Sequence, residues 1–228
     1  MQKKRQAIVA IILVALIIII DQWIKIEVKT TMSLHESHEV TSWFYILFIE
    51  NKGMAFGMSF INKIALTLFR CAAIIIIGVY LYRQIRKGAR WIFVILLAML
   101  MAGAAGNLID CLFYGLCFAP STPDMVSYIV PMGQGYGEFL QGKVVDMFYF
   151  PLIVTTYPDW FPLWGGQEFI FFSPVFNFAD ASVSVSVIAA LLFCRKELSE
   201  ITLGKQDTPQ TNDTDEGDET AGHNTSEE

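Results

Sequence analysis

Charge is scarce in this sequence. Only 17% of its 228 residues are charged against 54% apolar, and the mean hydropathy is +0.47. That composition excludes an ordinary soluble domain and makes a membrane protein the default. A zinc framework is lacking too: the four cysteines (Cys71, Cys111, Cys117, Cys194) form no CxxC pair and stand at no zinc-site spacing with histidine. Nor is there a basic patch, which argues against nucleic acid as a partner. The net charge is -6, and the last 25 residues carry eight carboxylates against one lysine, Lys205, so the rest of the chain is close to neutral. Cys71 and Cys194 fall inside apolar runs and read as small hydrophobes, whereas Cys111 and Cys117 lie outside them and could bridge in an oxidising compartment.

Long apolar runs are what the sequence does have. The first, Ala7 to Ile20, is too short for a ~30 Å hydrocarbon core, which needs about 20 residues, so it must continue through Asp21 to about Ile26. Lys3-Lys4-Arg5 could open a cleaved signal peptide, but no small-x-small pattern follows Ile20, and an anchor is expected instead. Further spans are expected at Ile64 to Tyr82, Trp91 to Asp110 and Phe176 to Cys194. The basic residues sort with them. Lys3, Lys4 and Arg5 precede the first span; Arg83, Arg86, Lys87 and Arg90 join the second to the third; Arg195 and Lys196 follow the fourth. By the positive-inside rule both termini are cytoplasmic and the other two connections face outward.

Those outer connections are rich in Trp, Phe and Tyr, side chains that favour the headgroup interface. Within the first, Val40 to Ile49 has the makeup of a short strand, followed by a turn at Asn51-Lys52-Gly53. His35 and His38 read as surface histidines, having no third metal ligand in view. Residues 204–228 form an acidic tail without apolar periodicity, expected to be disordered, after a four-span membrane unit over 1–203.

Four aspartates lie in or beside apolar segments, all toward the outer side, where ionisable groups are costly and therefore paired, hydrated or functional. Asp21 and Lys25, four apart, share a helix face and read as an internal ion pair. Asn107 and Asp110 follow Gly103-Ala104-Ala105-Gly106, small residues that let a neighbouring backbone approach. Asn177 and Asp180 open the fourth helix; a capping role explains Asn177 well and Asp180 less well. Asp146, in Val144-Val145-Asp146-Met147-Phe148, has no structural explanation of this kind. Two carboxylates brought together disfavour double ionisation, so one can keep a proton while the other accepts one from water.

These strings resemble the lipoprotein signal peptidase family of bacteria, also called signal peptidase II. Asp21 to Lys25 is similar to the family's aspartate and lysine in the first helix. Asn51-Lys52-Gly53-Met54-Ala55-Phe56-Gly57 resembles its Asn-x-Gly-x-Ala-Phe-Gly stretch. Gly106-Asn107-Leu108-Ile109-Asp110, Val144-Val145-Asp146 and Phe176-Asn177-Phe178-Ala179-Asp180 resemble its three remaining elements. The resemblance implies an all-α membrane protein of four transmembrane helices with a small periplasmic β-sheet and a periplasmic interfacial segment. It implies an aspartyl endopeptidase of the bacterial inner membrane that removes signal peptides from diacylglyceryl-modified prolipoproteins, cutting before the lipidated cysteine. Asp146 and Asp180 would be the catalytic pair; Asp21, Lys25, Asn51, Gly53, Asn107, Asp110 and Asn177 would support them or face substrate. No metal or organic cofactor is expected, and a monomer acting among membrane lipids is.

Two departures stand out. Cys111 occupies the position where the family has arginine, and Arg70, about 9 Å along the second span from Ile64, is a candidate substitute. The segments from Leu112 to Gly142 and from Thr155 to Pro174 are long, and read either as flaps over the pair or as ordinary interfacial loops. Taken without the resemblance, the intramembrane carboxylates would also suit a proton-coupled carrier, although no internal repeat is visible, or a membrane scaffold in which the aspartates are replaceable.

Overall fold

The computed structural model describes residues 1–51 and 63–203. Gly53 and the stretch Lys52 to Gly57, like the tail 204–228, lie outside the described residues. Among the described residues three helices are long and apolar enough to cross a membrane: α1 (Gln2–Thr31), α2 (Lys63–Lys87), and the continuous segment Trp91–Cys117. The last comprises α3 (Trp91–Ile109), a π-helical turn (Asp110–Tyr114) and the short α4 (Gly115–Cys117). A further apolar helix, α5 (Phe178–Phe193), has 16 residues, about 24 Å by helical rise, and is shorter than a full crossing. It is followed by α6 (Arg195–Leu203).

The helices are apolar outward and partly polar inward, the arrangement a lipid solvent imposes. On α1, Ile8, Ile11, Ile12, Leu16 and Ile19 are exposed, while Gln6, Ala10, Ile17, Asp21, Lys25, Val28 and Lys29 are buried along one stripe at three-, four- and seven-residue spacings. α3 is packed against α1, α2 and α5. Glycines permit that approach: a Cβ on Gly106 would lie 2.7 Å from Asp21 Oδ2 and 3.2 Å from Ala179 Cβ, and one on Gly103 would lie 2.7 Å from Val183 Cγ2.

The basic residues gather at one end. Gln6 Nε2 donates to Ala89 O (2.8 Å), and Arg90 Nη1 reaches Phe193 O and Glu197 (both 3.3 Å), so the start of α1, the α2–α3 turn and the end of α5 adjoin. At the opposite end stands a four-stranded antiparallel sheet, β1 (Ser37–Thr41), β2 (Phe44–Asn51), β3 (Val144–Tyr149) and β6 (Val175–Phe176), in the order β1-β2-β3-β6. The residue types of Val40 to Ile49 predict one short strand followed by a turn at Asn51-Lys52-Gly53. Instead the chain reverses at Ser42-Trp43, and Asn51 still belongs to β2. The reversal uses none of the glycine, asparagine or proline that usually marks a hairpin, which is why composition alone ran the two strands together.

A separate hairpin, β4 (Ile153–Thr156) with β5 (Glu168–Phe171), occupies the second long segment. The first, from Leu112 to Gly142, folds back on the end of the third helical segment: Val130 N donates to Cys117 O (2.8 Å), Ala119 N to Tyr128 O (2.9 Å) and Gly137 N to Gly115 O (2.9 Å).

The close helix approach makes a direct expectation. Gly106→Val should lower the melting temperature of the detergent-purified protein, at a cost of about 1–3 kcal/mol for overpacking. Gly78→Ala should leave it unchanged or raise it, because a Cβ there meets only the flexible Met101 side chain, at 3.6 Å (Sδ) and 4.0 Å (Cε).

Candidate active site

Five elements converge at the sheet end. α1 supplies Asp21, Gln22 and Lys25; the end of α3 and its π turn supply Asn107, Asp110, Cys111 and Tyr114; β2 supplies Asn51, β3 supplies Asp146, and α5 with its cap supplies Asn177 and Asp180. The π turn adds one residue to a helical turn, a local rotation that such turns often serve at functional sites, and Asp110, Cys111 and Tyr114 within it are all buried.

Lys25 sits between two carboxylates, 2.9 Å from Asp21 Oδ2 and 2.8 Å from Asp110 Oδ2, and also donates to Asn107 Oδ1 at 2.8 Å. All three charged side chains are fully buried. The expected Asp21–Lys25 pair is therefore present and extended to Asp110. Each carboxylate also holds backbone: Asp21 Oδ1 accepts from Ala179 N (2.9 Å), and Asp110 Oδ2 accepts from Val145 N (3.3 Å). One ion-paired cluster thus fixes α5 and β3 relative to α1 and α3.

Beyond that cluster the carboxylates are held by amides. Asn177 Nδ2 donates to Asp146 Oδ1 (2.7 Å), to Val145 O (3.2 Å) and to Asn107 Oδ1 (3.0 Å); Asn51 Nδ2 donates to Asp146 Oδ2 (3.3 Å). Asn107 Nδ2 donates to Asp180 Oδ1 at 2.7 Å. Asn177 is also the N-cap of α5, accepting from Asp180 N (2.9 Å), and Asp180 Oδ2 returns a long contact to Asn177 N (3.5 Å). Asp180 thus has more of a capping role than its position in the sequence suggests, as the third residue of a capping box. Because that contact is weak, the Asp180 carboxylate is held chiefly by Asn107.

Asp146 and Asp180 consequently share Asn177 as a neighbour. Asp146 is 4% exposed and Asp180 half-buried. Among the described residues no lysine or arginine forms a salt bridge with either. Burial, and secondly the Asp180 charge, push the Asp146 carboxyl up to about 7, against the opposing pull of hydrogen bonds from Asn177 and Asn51. With no cation partner among the described residues, a proton is the available means of neutralising Asp146 near neutral pH.

Two members of the network were not legible in the sequence. Gln22 Nε2 donates to Asp110 Oδ1 (2.8 Å), to Gly106 O and to Asp21 Oδ2 (both 3.2 Å), while Tyr114 OH donates to Gln22 Oε1 (3.1 Å). Their only sequence signal is polarity beside Asp21 and four residues after Asp110. All four cysteines are free. Cys111 and Cys117 lie six apart on one helical run with their sulfurs engaged separately, Cys111 with Arg70 and Cys117 with Met132, so the bridge considered from sequence is not made. His38 pairs with Glu36 at 3.0 Å on the exposed edge of the sheet.

Apolar crossing helices, a small sheet at one end and a buried cluster of acids and amides between them define a membrane-embedded enzyme class rather than a soluble one. Comparisons with known proteins narrow this. The family model described as signal peptidase (SPase) II matches residues 13–195. Lipoprotein signal peptidases are similar along most of the chain: one of Porphyromonas gingivalis is 44% identical, covering 87% of this chain and 88% of its own. One of Amoebophilus asiaticus is 31% identical, covering 81% and 77%. The chain belongs to the signal peptidase II family. Two solved bacterial membrane enzymes share the fold, with TM-scores of 0.54 (25% identity, covering 83% of this chain and 94% of that one) and 0.53 (23%, 88% and 93%).

Arg70 Nη1 donates to Cys111 Sγ at 3.0 Å, bringing a guanidinium from α2 to the position where the family carries arginine. If Arg70 simply replaces the missing guanidinium, Cys111→Arg would be expected to be tolerated. The contact changes the expectation, since Cys111 is 2% exposed and an arginine there would crowd Arg70. Arg70→Leu and Cys111→Arg should each lower melting temperature and precursor cleavage, and the double variant should recover most of both. Equal damage in the double variant would end the idea of an exchanged guanidinium.

Proposed function

We propose that the protein is a metal-independent aspartyl endopeptidase, cutting signal peptides from diacylglyceryl-modified prolipoproteins immediately before the lipidated cysteine, with Asp146 and Asp180 as the catalytic dyad. The observation that carries this reading is the buried Asp146 carboxyl beside Asp180, held by Asn51 and Asn177 and ion-paired with no cation among the described residues. The polypeptide crosses the bacterial inner membrane four times, α5 being the short fourth span, with both termini cytoplasmic. The gathering of Gln6, Ala89, Arg90 and Phe193 at the basic end supports that orientation. The aspartates then lie at the periplasmic face.

In the reaction one carboxylate removes a proton from water as it attacks the scissile carbonyl. The protonated partner polarises the carbonyl oxygen and then protonates the leaving amine. Asn177, touching both acids, keeps them in register, while Asn107 relays the Lys25 charge toward Asp180. Asp21, Lys25 and Asp110 hold the strands and helices in place; Asn51 faces substrate, a role that the family resemblance also implies for Gly53. The enzyme acts as a monomer on lipid-modified precursors delivered through the membrane.

Purified protein incubated with a diacylglyceryl-modified precursor should release a product whose new amino terminus is the modified cysteine. Asp146→Asn and Asp180→Asn should each reduce kcat by at least 10³-fold, the scale at which removing an essential acid or nucleophile acts. Turnover retained in either variant would instead favour a carrier or scaffold. The pH dependence has a defined sign. A carboxyl raised to about 7 stays protonated below that pH and ionises above it, so kcat should fall as pH rises through about 7 while the shared proton is lost. A rate that keeps rising to pH 9 would contradict the shared proton.

A further inference from the structure

The inward stripe of α1 carries charge at three successive turns, and the third, Lys29, takes no part in the chemistry above. Lys29 Nζ contacts Glu50 Oε1 and Lys143 Nζ contacts Glu50 Oε2, both at 2.5 Å. Ser121 Oγ accepts from Lys29 (2.9 Å) and donates to Glu50 Oε1 (3.0 Å). The rings of Phe48, Phe118 and Tyr136 surround the Lys29 ammonium at 5.8, 5.4 and 5.1 Å. Lys29 and Glu50 are buried, and Lys143 is 25% exposed. Burial pushes the Glu50 carboxyl up, but Lys29 and Lys143 outweigh it and hold it below the ordinary range, so it is ionised at neutral pH.

The place of this cluster is informative. Glu50 pairs with Val145 and Asn51 with Val144, the last rung of the β2–β3 ladder among the described residues, and Lys143 is the residue just before β3. The residue after Glu50 is Asn51, which donates to Asp146, and the residue after Val145 is Asp146 itself. Lys143 N also donates to Tyr136 OH at 2.7 Å, tying the long 112–142 crossing to the same point. An antiparallel pair frays from its open end, and here that end is two residues from the reacting carboxyl.

We propose that the Lys29–Glu50–Lys143 cluster is a positioning device for Asp146, clamping the open end of the β2–β3 ladder so that Asn51 and Asp146 keep their contact. The proposal rests on Asp146 being the catalytic carboxylate. Lys143 is the place to test it, because its removal leaves the buried Lys29–Glu50 pair intact.

Kinetics on the precursor should show Lys143→Met with kcat reduced about tenfold, the scale of a sub-ångström misplacement, and KM within about twofold of wild type. Lys143→Arg, which can still reach Glu50, should recover most of kcat. The melting temperatures of both variants should match wild type. Wild-type kcat in Lys143→Met overturns the proposal, as does a loss that Lys143→Arg shares or one accompanied by a fall in melting temperature. Wild-type protein that leaves the precursor intact would instead overturn the peptidase reading itself.

Discussion

The structure depends on how four carboxylates are neutralised with one ammonium group. Asp21, Asp110, Asp146 and Asp180 converge at one end of the molecule, and Lys25 touches only the first two. Polar groups in so apolar a setting must be satisfied internally, and the remaining negative charge is met by carboxamides from Gln22, Asn51, Asn107 and Asn177. An amide can orient a carboxylate without fixing it in the ionised form, as a lysine or arginine would. The division of labour follows: the salt-bridged acids act as fasteners for α5 and β3, and the other two are oriented by amides without a cation partner among the described residues.

That arrangement explains why the local geometry is unusual where it is. The π turn after Ile109 swings Asp110 inward to meet both Lys25 and the backbone of β3. Gly106, one turn earlier, clears space for Asp21 between α3 and α5. β3 is buried on both faces from Val144 through Met147, so its one acidic residue cannot find solvent by a simple side-chain rotation. Each feature is small. Together they hold Asp146 against Asn177.

Much of this was legible in the sequence, because membrane helices announce themselves by composition and misplaced acids by their surroundings. The ends of the helices were less so: α1 runs to Thr31 and the third segment to Cys117, since backbone pairing continues past the apolar run, with Met32 N still donating to Val28 O and Phe118 N to Tyr114 O. The Asp21–Lys25 pair follows from four-residue spacing, but its third member, Asp110, is 85 positions beyond Lys25 and no local pattern could supply it. The β1–β2 reversal was missed for want of turn residues, and the partnership of Arg70 with Cys111 is a tertiary contact between two helices. Lys29 and Glu50 look like ordinary charged residues at a helix end and on a strand; only burial reveals them as a cluster.

The charged stripe on α1 also bears on biogenesis. Synthesis delivers α1 first, with Asp21, Lys25 and Lys29 on a single face, while their partners at Asn107, Asp110 and Glu50 are still to be translated. Entering the bilayer alone, the helix could pair Asp21 with Lys25 within itself but would leave Lys29 to snorkel or to stay near the translocon's aqueous side. Its final rotation about its own axis is settled only when the third helical segment arrives. Docking of the earliest helix is thus a late event, and the chemistry assembles at the moment the membrane bundle closes.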